Sequence, residues 1–433
     1  MTNFETSEPS RLNRTLGLPM LTFYGTGMIL GAGIYSVIGK AAGIAGENLW
    51  QGFILAAVTA LLTALSYAEL VTMYPSAGGE YIYLRKAFPR HEWIAAIIGI
   101  TVVFAGCASA ATVALSFSSY LQHFIETPLL LMSASVLIFF TGINIIGIKQ
   151  SSLMNALFTL IEISGLILFI GLGWQNPEFG AALLKVPNIS VFSTAALVFF
   201  AYLGFENIVN LAEETKEPEK TIPRAIFLSL IISTILYILV SLSAVALMPP
   251  ELLAQSDSAL TDAAMNSSYR IAGILGGIAL FSTANTVLIS LITTSRILYG
   301  ISRNNSLPQI ISKTSIKQKT PWVAALISLV VSILLLPFGK VETLAGIASF
   351  TIMIAFIMVN VALIILRKTQ PTHPRPFRVP ISNLKIPALP AIAIATCIVF
   401  LFQFAKNIYT TGLLSLIISA AIYFSFRWFK KLK

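Results

Sequence analysis

The sequence has few charged residues for its length. Asp, Glu, Lys and Arg make up 11% of the 433 residues, whereas an average soluble domain contains about 25%. Hydrophobic residues make up 56%, and the mean hydropathy is +0.84. A water-soluble protein of this size needs far more charge to cover its surface. The composition therefore argues against a soluble enzyme, a nucleic-acid-binding protein and a disordered chain, and it favours a polytopic membrane protein.

Cysteine and histidine are also scarce. The two cysteines, Cys107 and Cys397, lie inside apolar runs and indicate neither a disulfide nor a metal or redox site. The three histidines, His91, His123 and His373, lie outside the middle of every apolar run, which argues against haem or a buried metal cluster. The sequence therefore gives no sign of a cofactor, and a membrane enzyme lacks the clustered side chains that it would need.

Long apolar runs follow one another along most of the chain. A membrane-spanning helix needs about 20 mostly apolar residues, and we predict an all-α polytopic membrane protein with twelve transmembrane helices. The predicted spans are 17–39, 48–73, 93–122, 128–148, 152–174, 190–212, 225–248, 271–296, 321–338, 342–366, 386–405 and 407–427.

The basic residues predict the orientation of the spans. With a cytoplasmic N-terminus, 23 of the 28 Lys and Arg residues lie on the inner side, as the positive-inside rule requires. The net charge of +10 then reflects topology rather than a nucleic-acid partner. We expect an inner-membrane protein with cytoplasmic tails at 1–16 and 428–433.

The first span contains an unusual glycine cluster. Residues 25–33 read Gly-Thr-Gly-Met-Ile-Leu-Gly-Ala-Gly, and glycine weakens a helix. If the helix unwinds there, free N–H groups at the start of its second half form an anion site suited to a carboxylate. The alternative is close helix packing through Gly27 and Gly31.

The sixth span combines a glycine with an intramembrane acid. Residues 199–206 read Phe-Phe-Ala-Tyr-Leu-Gly-Phe-Glu. A carboxylate at this depth costs several kcal/mol unless it is protonated, paired or hydrated. Glu206 is therefore a candidate functional residue, and the alternative is that it only caps broken backbone or bonds to a neighbouring span. Glycine-interrupted spans at matching places in two repeats predict a transport site at the midplane.

Glu162 is a second acid within an apolar run, in the fifth span. It has no basic neighbour in the sequence. Such an acid can exchange a proton near neutral pH, so it is either a proton-coupling carboxylate or a neutral, hydrogen-bonded structural acid.

Five motifs resemble those of bacterial amino acid permeases of the amino acid–polyamine–organocation (APC) family. They keep the family's order and spacing across most of the chain. The motifs are residues 31–35 (Gly-Ala-Gly-Ile-Tyr), 67–70 with 75–81 (Tyr-Ala-Glu-Leu and Pro-Ser-Ala-Gly-Gly-Glu-Tyr), 200–206, 213–225 (beginning Glu-Glu-Thr-Lys) and 295–303 with 307–308.

The resemblance implies a LeuT-type fold. Residues 17–174 and 190–366 would form a 5+5 inverted repeat with discontinuous spans 1 and 6, and residues 386–427 would add two C-terminal helices. It also implies a substrate site between the two breaks and proton-sensitive gating by Glu206. The implied substrate-binding residues are Gly31, Ala32, Gly33, Ile34, Phe200, Ala201, Tyr202, Leu203 and Phe205. In this scheme span 1 holds the substrate carboxylate, carbonyl groups of span 6 hold its amino group, and Tyr202 or Phe205 is the aromatic gate.

One position departs from the family. Many members carry a lysine in the fifth span at or near Glu162, and its ammonium bonds to span 1. Here the charge has the opposite sign, so our hypothesis is that protonation of Glu162 couples transport.

These features predict a secondary transporter that moves an α-amino acid, most simply a neutral one, by alternating access. The alternatives are a cationic amino acid or polyamine carrier of the same fold, and a non-transporting sensor. We expect protons rather than sodium as the coupling ion, the bilayer as the surroundings, no nucleic-acid partner, and a monomer or weak homodimer.

Overall fold

Helices account for almost all of the chain in the computed structural model, which describes residues 12–122, 125–256, 258–267, 269–338, 341–381, 387–404 and 406–432. The described residues form sixteen α-helices. In chain order these are α1 (Leu18–Ala45), α2 (Leu49–Met73), α3 (Gly79–Ala87), α4 (Glu92–Gln122), α5 (Leu129–Ile146), α6 (Ile148–Trp174), α7 (Glu178–Leu183), α8 (Ser190–Val198), α9 (Pro218–Leu247), α10 (Pro250–Gln255), α11 (Ala259–Met265), α12 (Tyr269–Arg303), α13 (Trp322–Leu335), α14 (Val341–Thr369), α15 (Ala388–Leu401) and α16 (Lys406–Leu432).

Ten helical segments of the described chain are long and apolar enough to cross a membrane. Two shorter apolar helices, α13 and α15, occupy the positions of the ninth and eleventh predicted spans. The chain is therefore a nearly all-helical, multi-pass membrane protein. Parts of the predicted tails lie outside the described residues, together with His123 and the start of the eleventh predicted span.

Several helices extend beyond the predicted spans. Helix α9 begins at Pro218 rather than at 225, and α12 continues to Arg303 rather than ending at 296. The proline at the first position of α9 lacks an N–H that the first turn would leave unbonded in any case. The extension of α12 matters for the site, because it moves the middle of this helix toward the C-terminus.

Helix α1 occupies the centre of the packing. It contacts α6, α9 and α12, and α12 packs along α4. The short helices α10 and α11 lie against the second half of α1, where a Cβ on Gly39 would come within 2.5 Å of the Leu253 carbonyl oxygen. This close approach requires a residue without a side chain.

Residues 75–90, between the second and third predicted spans, contain α3. Helix α3 packs against α4, α12 and α14. Gly78 precedes it in the left-handed conformation (φ 80°), and a Cβ on Gly300 of α12 would lie 2.3 Å from the Ala77 carbonyl oxygen. The loop before α3 is thus pressed against the end of α12.

Candidate functional site

The first break lies in α1. At Gly31 the backbone leaves the helical conformation (φ −2°, ψ −156°). A Cβ on Gly31 would lie 2.5 Å from the Thr286 hydroxyl oxygen, and one on Gly33 would lie 2.9 Å from the Cα of Ala201. The glycines of this motif therefore interrupt the helix and also let it approach α12 and span 6.

The second break lies in span 6. Helix α8 ends at Val198 and is followed by a 3₁₀ turn, Phe199–Tyr202. Leu203 is extended and Gly204 has φ 131°, after which Phe205–Glu214 forms a 3₁₀ helix. A Cβ on Gly204 would lie 2.5 Å from Met28 of α1. The two interrupted segments are thus in direct contact.

A cavity of about 100 Å³ lies where the two breaks meet. Four of the predicted binding residues line it, together with Glu206: Gly33, Phe200, Ala201 and Leu203. The other predicted residues, Gly31, Ile34, Tyr202, Phe205 and Glu162, are outside its lining. The side chain of Ala32 lies outside the described part of the structure.

Neither proposed gate residue lines this cavity. The Tyr202 hydroxyl donates to the Phe53 carbonyl at 3.1 Å, and the Phe205 ring packs against Tyr67 and Phe356. The two side chains belong to aromatic clusters on either side of the break. Phe200 is the aromatic residue of the motif that reaches the cavity.

Helices α4, α12 and α14 supply the remaining walls. Aliphatic side chains include Val102, Val113 and Ile352, and small residues include Gly106, Ser109 and Ser349. Helix α12 contributes a polar stripe of hydroxyl groups, which comprises Thr286, Ser290, Thr293 and Thr294.

This stripe is absent from the site residues predicted from the sequence. Its members repeat at the three- and four-residue spacing of one helical face, and this pattern can be read from the sequence. Because the predicted span ends at 296 rather than at Arg303, its middle lies nearer the N-terminus than the middle of α12 does.

Glu206 contacts the broken backbone directly. Its Oε2 accepts a hydrogen bond from the N–H of Gly204 at 2.8 Å, and its Oε1 accepts one from the side chain of Asn207 at 3.1 Å. The carboxylate is 3% exposed. Glu206 therefore caps the interrupted helix and also faces the cavity.

Tyr237 of α9 joins the two breaks. Its hydroxyl lies 3.0 Å from the carbonyl oxygen of Ala201 and also contacts the carbonyl of Ile29. One side chain thus bridges backbone groups of spans 1 and 6, and it holds the two interrupted segments together.

Glu162 lies in α6 behind α1. It is fully buried, and its Oε1 accepts a hydrogen bond of 2.6 Å from the Ser282 hydroxyl. Its Oε2 has no hydrogen-bond partner in the described chain. Tyr35, just beyond the break in α1, lies near enough to interact electrostatically with Glu162, and its buried hydroxyl is also unpaired among the described residues.

The contact between α6 and the first half of α1 is made by neutral residues. The Thr159 hydroxyl lies 3.4 Å from the carbonyl oxygen of Phe23 and 3.1 Å from the side chain of Asn285. Asn155 donates to Asn285 at 2.8 Å. A Cβ on Gly27 would lie within 2.1 Å of Thr159, so α1 needs a glycine here.

Buried ion pairs lie toward the predicted inner side. Arg296 of α12 is fully buried and pairs with Glu214 at 3.0 Å. Glu69, near the end of α2, binds Arg367 and Arg375. The partners are far apart in the sequence, so no local pattern could reveal them.

Comparison with known proteins identifies the family. The family model for amino acid permeases matches residues 16–426. The branched-chain amino acid permease BcaP of Bacillus subtilis (strain 168) is 31% identical over 97% of this chain and 94% of its own length. The methylthioribose transporter of the same organism is 29% identical over 96% of this chain and 94% of its own length.

A plant relative extends the comparison. The mitochondrial cationic amino acid transporter 3 of Arabidopsis thaliana is 28% identical over 83% of this chain and 63% of its own length. The resemblance carried by the five motifs is confirmed. The chain belongs to the amino acid permease family, and it is a multi-pass membrane transporter rather than an enzyme.

Proposed function

We propose that this transporter carries neutral α-amino acids, including branched aliphatic ones, across the bacterial plasma membrane by alternating access. The observation that carries the proposal is the cavity between the two helix breaks. There, aliphatic side chains of α4 and α14 line the same cavity as residues of the breaks in spans 1 and 6. The relative named as a branched-chain amino acid permease supports an apolar substrate side chain.

The backbone gives the substrate its orientation. N–H groups after Gly31 attract the carboxylate, because the start of a helix carries partial positive charge. Carbonyl groups of span 6 attract the ammonium group. The Ala201 carbonyl already contacts Tyr237, but a carbonyl oxygen has two lone pairs and can accept again.

The charge of the lining favours a neutral side chain. Among the described residues that line the cavity, Glu206 is the single acid, and it already accepts two hydrogen bonds. A cationic amino acid or a polyamine carries an additional ammonium group, and no second carboxylate lines the cavity among the described residues. Phe200, which lines the cavity, is the aromatic residue that we propose as the gate.

The proposed architecture has twelve spans, with repeats at 17–174 and 190–366 and both termini in the cytoplasm. It is supported by the ten long helical segments, the two shorter apolar helices and the distribution of basic residues. Helices α10 and α11 would then form part of an outer lid over the second half of α1.

Glu162 is the proposed coupling residue. Its Oε2 and the Tyr35 hydroxyl have no hydrogen-bond partner within the described chain. The two groups interact electrostatically, and this interaction connects Glu162 to the second half of α1. A buried carboxylate without a cation is stable only when it is protonated or well hydrogen-bonded. Binding of a proton would therefore stabilise the conformation in which this part of α1 packs against α6.

Uptake into proteoliposomes tests this function, with proton and sodium gradients imposed separately. We expect the parent protein to accumulate labelled leucine with an inward proton gradient and not with sodium. Glu162→Gln should lose this accumulation but keep leucine exchange, because glutamine resembles the protonated acid and cannot release a proton. Accumulation driven by sodium, or full proton-driven accumulation by the variant, would contradict the coupling scheme. Preferred uptake of lysine or putrescine would contradict the proposal that the substrate is a neutral amino acid.

A further inference from the structure

Helix α3 carries a buried acid that does not line the cavity. Glu80 is 1% exposed and belongs to the first turn of α3. Its Oε1 accepts a hydrogen bond from the Tyr67 hydroxyl at 3.3 Å. Tyr67 in turn packs edge-on against Phe205, next to Glu206 of span 6. Glu80 therefore lies beneath the break in span 6, between the cavity and the loop before α3.

Two buried polar atoms at this acid lack a hydrogen-bond partner in the described chain. They are Oε2 of Glu80 and the hydroxyl of Tyr83, and the side chain of Asn210 lies close enough to the carboxyl group to stabilise its charged form. The Asn210 oxygen accepts a 2.9 Å bond from the N–H of Gly79, which fixes the amide beside α3. Buried polar atoms are almost always bonded, so this group is suited to bind a small polar species such as water or a hydrated proton.

The surroundings of Glu80 contain no compensating cation among the described residues. The titratable groups that face it are Tyr67 from α2, Tyr83 from its own helix and Glu206 from span 6. Helices α4, α12 and α14 also pack on α3, and over the described residues they place no cation against this carboxyl group. Burial raises the pKa of Glu80 to about 7, so the carboxyl group can exchange a proton near the pH of the cytoplasm.

The contacts around α3 connect this proton to the inner side of the transporter. The loop before α3 touches the end of α12 at Gly300, and Gly79 touches Val209 of span 6. An inward opening must separate these elements and admit water to Glu80. The O–H bond of the carboxyl group then breaks, the proton passes to water, and the hydrated carboxylate remains.

We propose that Glu80 is a second proton-binding residue, which holds a proton while the inner side is closed and releases it to the cytoplasm as α3 separates from α12 and span 6. The proposal rests on the proton coupling put forward above. It assigns a transport role to a residue of the loop between the second and third spans.

The test compares the parent protein with Glu80→Gln and with a matched control, Glu92→Gln. Glu92 lies close by in the chain, in an exposed ion pair with Arg85. The first readout is the infrared band of protonated carboxyl groups in the reconstituted protein. A component of this band should disappear as the pH rises through about 7 in the parent and in Glu92→Gln, and it should be absent from Glu80→Gln.

The second readout is proton-driven leucine accumulation alongside leucine exchange. Glu80→Gln should lose accumulation and keep exchange, whereas Glu92→Gln should retain both. Tyr67→Phe keeps the packed ring but removes the donor to Glu80, so its carboxyl band should persist to higher pH. This variant tests the proposal even if Glu80→Gln folds poorly.

The possible results separate the two proposals. Proton-driven accumulation in the parent and in Glu80→Gln alike, or an unchanged carboxyl band in both Glu80→Gln and Tyr67→Phe, would overturn the role of Glu80 and leave the transport function intact. A parent protein without proton-driven accumulation would overturn the coupling itself, and the role of Glu80 with it.

Discussion

Gly33→Val is expected to reduce leucine uptake to background while the protein still folds. A Cβ at this position would lie 2.9 Å from the Cα of Ala201, and backbone cannot move aside as a flexible side chain can. Valine would force the two breaks apart and would occupy the place proposed for the substrate carboxylate. Overpacking of this kind costs about 1–3 kcal/mol of stability.

Gly171→Val is the matched control for this substitution. A Cβ on Gly171 of α6 would meet no atom of the neighbouring described elements within 4 Å. Its variant should transport leucine close to the parent rate, although both valines disfavour the helix slightly. Uptake by Gly33→Val at the parent rate would show that the substrate does not bind where spans 1 and 6 meet.

Arg296→Met is expected to cost about 3–5 kcal/mol in the free energy of unfolding, because it leaves Glu214 buried without its partner. The guanidinium group makes two bonds to the carboxylate, at 3.0 and 3.2 Å, and it also contacts Asn144 of α5. These contacts join α5, α12 and the second half of span 6. The thermal unfolding of the purified protein in detergent should shift strongly downward.

Two further variants distinguish the effect of breaking the buried pair from a general effect of removing a charge. Arg296→Met combined with Glu214→Leu should recover part of the lost stability, because no unpaired charge remains. Lys220→Met removes an exposed pair with Glu217 and should change the stability by less than about 1 kcal/mol. Equal losses in Arg296→Met and Lys220→Met would contradict a structural role for the buried pair.

The positions of the helices could be predicted closely from hydropathy. The sixth predicted span, 190–212, corresponds to helical segments that run from Ser190 to Glu214. The glycine patterns also indicated both breaks, because glycine affects the local backbone directly. These features depend on residues that are neighbours in the sequence, so they can be read from a single sequence.

Features that depend on distant partners could not be predicted in this way. The predicted eighth span ends at 296, which places Arg296 at the end of the helix, whereas in the fold Arg296 is buried and Glu214 neutralises its charge. The partners of Glu69 are distant in the sequence for the same reason. The surroundings of Glu80, which include Tyr67 and Asn210, likewise come from other helices.

Competition for labelled leucine uptake tests the central claim most directly, namely that the helix breaks hold both charged groups of an α-amino acid. The competitors are leucine, leucinamide, which lacks the carboxylate, and 4-methylpentanoate, which lacks the amino group. Each lost hydrogen bond to a charged group costs about 1.5–3 kcal/mol, so we predict that both analogues compete at least about tenfold more weakly than leucine. Competition by either analogue as strong as that of leucine would contradict the binding of that group by the broken spans.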